Sequence, residues 1–315
     1  MHCRKLAQAG IVVARAMRVS CPDEVLVVGL RLADGSCWSI VPGDQAGQCV
    51  AQALAEAMCL SMGQVCGTRI LVALGRPGAG RGGRSHLIGP RRSAAHGLVA
   101  ELSLATQDPD MVALQLMKLS LVVARDVESR GGLLLHGGLA ERGGLGAALA
   151  GPAGAGKTVA SRRLSPPWQS LSDDATLVVR GREGQYWAHP WPTWSRFMFG
   201  GPGGSWDVQH KVALRGIFFL VHADTDSVRP LEKVRSIGLL MRSAQEAHGH
   251  DGRPESSHAI RAEHLQRFEN VCALTRAVPC YRLGLTLEGA FWNEVEPLVH
   301  ANAQSCCETV PQNAG

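Results

Sequence analysis

Eight consecutive residues limit this chain more than any others: Gly151-Pro152-Ala153-Gly154-Ala155-Gly156-Lys157-Thr158. Glycine, four residues, glycine, lysine and threonine is the spacing of a phosphate-binding P-loop. Each position has a physical task. The glycines allow positive φ and let successive N–H groups converge on one anion. A helix starting directly afterwards aims its positive end at the same place. The lysine reaches β- and γ-phosphates, and the threonine hydroxyl holds Mg²⁺. Such a loop needs a strand before it and a helix after it. The apolar run 145–150 leads in, and residues 158–164 have helical spacing before Ser165-Pro166-Pro167 ends them. Only five of the 315 residues are lysines, so a chance lysine at the fixed position is rare.

Phosphoryl chemistry also needs a carboxylate near the metal and a group to deprotonate the acceptor. Asp173 and Asp174 follow Lys157 by 16 and 17 positions, at the end of a short apolar run. That spacing places them at the carboxyl edge of a neighbouring strand. Tandem residues of a strand face opposite ways, so one would face the metal and the other the acceptor; residue order alone does not say which. An exposed turn is the competing reading, since aspartate is favoured there.

Three sections separate by pattern. Residues 25–32 and 36–41 read as strands joined by a turn at Ala33-Asp34-Gly35. Residues 48–60 read as a helix and 70–74 as a short apolar run, giving a small α+β domain over 1–75. Residues 76–109 form a glycine- and arginine-rich linker. From 110 to 300 helices alternate with strands, as in an α/β sheet domain: helix 110–129, strands near 133–135, 146–150, 170–172, 176–179, 212–221 and 281–285, and helices at 231–247, 258–275 and 287–299. Residues 301–315 read as a disordered tail.

Charge argues against a nucleic-acid partner. The net charge is +5, and the 32 basic residues comprise five lysines and 27 arginines scattered along the chain, not a concentrated stripe. Ten cysteines form no C-x-x-C pair or zinc-ligand spacing. No stretch approaches the ~18 apolar residues of a membrane span, and the N-terminal apolar run is too short for a signal peptide. The expectation is a reduced, soluble, cytoplasmic protein.

The segment His136-Gly137-Gly138, the run 146–150, the loop 151–158 and Leu171-Ser172-Asp173-Asp174 resemble the catalytic domain of bacterial HPr kinase/phosphorylase. The 21 positions from His136 to Lys157 are similar to that family's spacing. A closer resemblance, carried by residues 30–38 and 187–195, is to the ScmC proteins of SynChlorMet cassettes, which accompany radical-SAM enzymes and a small precursor peptide. The resemblance implies an α/β P-loop sheet domain of the HPr-kinase/PEP-carboxykinase-like type, using ATP and Mg²⁺. It implies that Lys157 binds phosphate, that Thr158 and Asp173 hold the metal, that Asp174 accepts the proton and that His136 is an active-site histidine. Two departures stand out. Threonine replaces the family's usual serine after the lysine. The signature segment that supplies the family's second metal-binding carboxylate has no counterpart here; Glu183 and Asp207 are candidates for that carboxylate by location.

The expected activity is therefore an ATP-dependent kinase acting on a hydroxyl side chain of a protein or precursor peptide. A nucleotide-binding accessory protein without transfer, and a small-molecule kinase, are the competing readings. The expected partners are the acceptor protein or peptide and radical-SAM cassette enzymes, with a homo-oligomer left open. Four tryptophans (Trp187, Trp191, Trp194, Trp206) fit either an aromatic platform or core packing, and packing is expected. Gly200-Gly201-Pro202-Gly203-Gly204 reads as a surface loop or lid. Asp224 and Asp226 fit a site edge or a turn. Arg235 and Arg242 share one helix face and are candidate phosphate contacts.

Overall fold

A computed structural model of the protein describes residues 27–42, 52–60, 62–63, 97–102, 108–248 and 257–307. The apolar run at 70–74, most of the expected linker and the end of the expected tail lie outside the described residues. The described chain divides into two units. The first takes the residues up to Val123 together with Pro192–Gln209, and the second takes Ala124–Trp191 and the chain from His210 onward.

In the first unit, strands β1 (Val27–Arg31), β2 (Cys37–Pro42), β3 (Met62–Gly63) and β4 (Gly97–Leu102) form a sheet in the order β3-β1-β2-β4. The β1–β2 turn forms where expected. Gly35 takes φ 81°, and the Ser36 amide and hydroxyl both donate to Asp34 Oδ1 at 2.9 and 2.6 Å. β4 lies within the stretch expected to link the domains and pairs in parallel with β2. Helix α1 covers residues 52–57 and buries Leu54 and Ala57.

Pro192–Gln209 returns to this unit through the 3₁₀ helix Trp194–Gly200. The Trp206 amide donates to Ala57 O at 2.7 Å, and the Trp194 indole donates to Ser120 Oγ at 2.6 Å. Phe197 sits between the two indoles, 5.6 and 6.1 Å from their centroids. Both tryptophans are 3% exposed, so they are core. In the glycine run, Gly201 and Gly203 amides donate to Met198 O and Arg196 O. A Cβ at Gly201 would lie 2.2 Å from Arg196 O, so this turn is tightly closed.

Helix α2 (Pro109–Ser129) runs across the division between the units. The Asp108 carboxylate accepts the Asp110 amide at 3.0 Å and caps its start. The second unit is a mixed sheet with helices on both faces. Its strands are β5 (Leu133–Arg142), β6 (Leu145–Ala150), β7 (Gln169–Ser172), β8 (Ala175–Arg180), β9 (Tyr186–Pro190), β10 (Val212–His222), β11 (Ser227–Pro230) and β12 (Cys280–Leu285). The order is β11-β12-β10-β6-β5-β8-β9, with β7 also on β5. β6, β10 and β12 are parallel neighbours. β9 pairs with β10 as well as with β8, so β10, β6, β5, β8 and β9 close into a ring.

β10 is central and, apart from Arg215 and its terminal His222, reads as an apolar run because both its faces are covered. Ile217 and Phe219 face a cluster with helices α4 (Lys233–His248) and α5 (Ser257–Ala277). Phe218 and Leu220 face the opposite cluster, with α3 (Lys157–Arg163) and α6 (Trp292–Cys307). Phe218 stacks on Tyr281 with centroids 5.0 Å apart; each such fully buried side chain contributes about 1.5–3 kcal/mol. β5 and β6 are longer than expected because Gly143 and Gly144, at φ 59° and 80°, make a tight two-residue hairpin turn.

Candidate functional site

The loop Gly151–Gly156 joins β6 to α3, at the carboxyl end of parallel strands where open α/β sheets place their ligands. Gly154 and Gly156 take φ of 80° and 93°, a region costly for any side chain. A Cβ at Gly151 would lie 3.0 Å from Ala155 Cβ. Lys157 opens α3, and its ammonium turns back to donate to Gly151 O at 2.8 Å and Pro152 O at 3.1 Å. Burial pushes the lysine pKa down, while the charges of Asp174 and Glu246 push it up and lose. Thr158 is half-buried on the same turn, and Pro152, Ala153 and Gly154 are exposed.

The acidic pair is held by two glycines. β7 and β8 both pair with β5, with Ser172 opposite Leu139 and Ala175 opposite His136. Asp173 and Asp174 therefore form a bend across Gly137 and Gly138, and the Gly137 amide donates to Asp174 O at 2.8 Å. A Cβ on Gly138 would meet Ser161 Oγ at 2.9 Å and Ser172 O at 3.0 Å. On its other edge, β5 pairs Gly137 with Ala150 and Gly138 with Leu149, directly before the loop. The His-Gly-Gly sequence thus brings helix, acidic bend and loop together. His136 Nδ1 lies 3.4 Å from Asp174 Oδ1, with side chains 21% and 37% exposed. That contact is accessible to a second molecule.

The remaining candidates separate clearly. Glu183 lies in the turn after β8, at the far end of a six-residue strand that starts beside the acidic bend, roughly 17 Å along it. Asp207 belongs to the first unit, where its carboxylate accepts the Gln209 amide at 3.3 Å. Asp226 accepts the Thr286 amide and hydroxyl at 2.7 and 2.9 Å and braces the loop after β12. Trp191 is 1% exposed, and Trp187 carries the Lys211 ammonium 4.8 Å over its ring. These tryptophans pack; they form no open platform.

Two residues of the site have no signature in the sequence. His222, at the end of β10, donates from Nε2 to Gly154 O at 3.1 Å. Glu246 acts on Lys157 from α4. Their only signal is position: one ends the most apolar strand, and the other lies one helical turn after Arg242. The Ser243 hydroxyl on the same helix donates to His136 O at 3.1 Å, tying α4 to the site.

Fold and site define an α/β protein with a mixed sheet, whose glycine-rich strand–loop–helix turn carries a lysine beside a histidine–aspartate contact. Residues 98–300 match the family of SynChlorMet cassette protein ScmC, and the chain belongs to that family. Nothing among curated proteins matches the chain. No described helix is long and apolar enough to cross a membrane.

Proposed function

We propose that the protein is an ATP-dependent kinase of the HPr-kinase type that phosphorylates a hydroxyl side chain of a protein or ribosomally made precursor peptide. The observation that carries this reading is the convergence of the Lys157 ammonium, the Gly151–Gly156 loop and the His136–Asp174 contact on one sheet edge. The loop residues fit a phosphate chain: Gly154 and Gly156 have open space where a side chain would stand, and Lys157 holds its charge at the loop's own carbonyls. Among the described residues no group of three or more His, Cys, Asp or Glu could hold a metal. Mg²⁺ takes only one or two protein carboxylates alongside phosphate oxygens and water, so Thr158 and Asp173 suffice. When bound, it would neutralise charge on the phosphates.

In this reading Lys157 and the loop position the nucleotide. The acceptor oxygen bonds to the γ-phosphorus as the bond to ADP breaks, and the hydroxyl proton passes to Asp174. His136 orients the Asp174 carboxylate through the 3.4 Å contact. The family's name supports a cassette setting; the precursor peptide as acceptor and radical-SAM enzymes as neighbours belong to the proposal itself.

The test uses the full chain, γ-labelled ATP, Mg²⁺ and the cassette peptide, followed by mass spectrometry of the peptide. One added phosphoryl group is expected. Lys157→Ala should abolish nucleotide binding. Asp174→Asn should bind nucleotide normally yet slow transfer by about 10²–10⁴-fold. ATP hydrolysis with no phosphorylated peptide would remove the kinase reading and leave a nucleotide-binding accessory protein.

A further inference from the structure

Beside the loop lies a cavity of about 190 Å³ whose floor is Phe219, Leu231 and Leu239, and whose wall includes Gly151 and Pro152. These last are the residues whose carbonyls hold the Lys157 ammonium. Its mouth carries three exposed guanidiniums, Arg235, Arg242 and Arg282. Arg229 adds a fourth beside it, opposite Arg282 in the β11–β12 register. Glu246 is the only carboxylate on the lining, and Arg242 Nε lies 3.7 Å from it.

Size and charge select the occupant. Pockets for whole small-molecule ligands begin near ~300 Å³, so this one admits a single apolar side chain and not a base with its sugar. The Lys157 end of a P-loop faces the β- and γ-phosphates, and the cavity touches that end. It therefore lies on the side from which an acceptor approaches. The surplus of guanidinium at the mouth favours carboxylates, which arginine binds in bidentate fashion.

We infer that this cavity docks the acceptor peptide, taking one apolar side chain on Phe219, Leu231 and Leu239 and one or two acidic side chains on Arg235 and Arg282. This rests on the kinase reading for its placement of the acceptor, but docking is measurable without transfer. The preferred peptide carries its hydroxyl residue next to an apolar residue, with glutamate or aspartate flanking both. A peptide with basic flanks is rejected by like charge.

The test is fluorescence anisotropy on the full chain. One labelled peptide carries serine, leucine and two flanking glutamates, and the other has lysines in place of the glutamates. The glutamate peptide is expected to bind at least tenfold tighter at low salt, with the difference shrinking as salt rises. Arg235→Glu with Arg282→Glu, both on exposed positions, should reverse the preference. Leu239→Trp, which fills the cavity, should weaken the glutamate peptide at least tenfold. Equal binding of both peptides, no binding of either, or displacement by adenosine would overturn the docking site. Glutamate-peptide binding without phosphoryl transfer would sink the kinase reading and leave the docking site standing. Transfer that ignores flanking charge would do the reverse.

Discussion

Lys157 is 6% exposed and its ammonium is held by two loop carbonyls, with its pKa lowered chiefly by burial. A charge so placed costs stability whenever it is protonated, because two neutral acceptors do not replace its full hydration. Lys157→Met keeps the length and removes the charge. It should leave the chain as stable as before or more stable, by up to about 2 kcal/mol, while the nucleotide binding proposed above disappears. Thermal unfolding with and without nucleotide checks both halves, and a loss above about 2 kcal/mol would show that the lysine serves chiefly to hold the loop. Residue chemistry was the most legible scale in the sequence. The spacing from Gly151 to Thr158 marks the loop without any fold, and the acidic pair follows at a strand end. His222 and Glu246 stayed hidden because each reaches the loop or its lysine through tertiary placement, and neither belongs to a local pattern.

At the level of elements, Gly137 and Gly138 set how closely three pieces approach. Gly138 is hemmed in by Ser161 Oγ at 2.9 Å, Ser172 O at 3.0 Å and the Asp173 Cα at 3.4 Å from a would-be Cβ. Gly138→Ala must therefore push α3 or the acidic bend outward. The expected cost is about 1–3 kcal/mol by urea unfolding. On the proposed kinase reading, peptide phosphorylation should fall by more than nucleotide affinity, since Ser172 O and the Asp173 Cα lie against this position and the loop does not. An unchanged unfolding midpoint would mean that the sheet relaxes freely. Strands and helices of the second unit were mostly legible, because their apolar runs are bounded by glycine and proline. Three pieces were not. β9 and β11 are four or five residues long, too short for periodicity, and the Gly143-Gly144 turn does not by itself show that β5 runs unbroken from Leu133 to Arg142. In α2 the buried face runs through Ala113, Leu116, Leu119, Val123 and Val127, while Leu114, Met117 and Val122 are only half-buried. A helix apolar around most of its girth does not announce which face is inward.

Over the whole molecule, acid should reveal how the sheet is fastened at its far end. Glu141, 6% exposed, accepts hydrogen bonds from Gln169 at 2.6 Å, His210 at 2.9 Å and the Gly144 amide at 3.1 Å. Burial raises its pKa, but these bonds and the His210 charge outweigh burial and hold it below 4.5. The folded state therefore binds fewer protons than the unfolded chain. Its contribution is complete above about pH 4.5 and is lost as pH falls through the folded-state value. Glu141→Gln should cost about 1 kcal/mol at pH 7. The difference from the parent should then vanish as pH drops below 4.5; a difference constant across that range would exclude ionisation as the cause. None of this was readable from residue order, since Glu141 and His210 stand 69 positions apart. The membership of Pro192–Gln209 in the first unit was equally hidden, because a chain that leaves at Pro192 and returns at His210 carries no mark in its composition.

That excursion bears on how the protein is inherited and shortened. Ala57 O and Met58 O receive the amides of Trp206 and Val208, so the early residues serve as the seat for a segment read some 150 positions later. A gene cut near position 108 would still encode Trp194, Phe197 and Trp206 but would have discarded Ala57 and Met58, which accept the Trp206 and Val208 amides. The shortened product should therefore be sticky and poorly soluble even with every strand of the larger sheet intact.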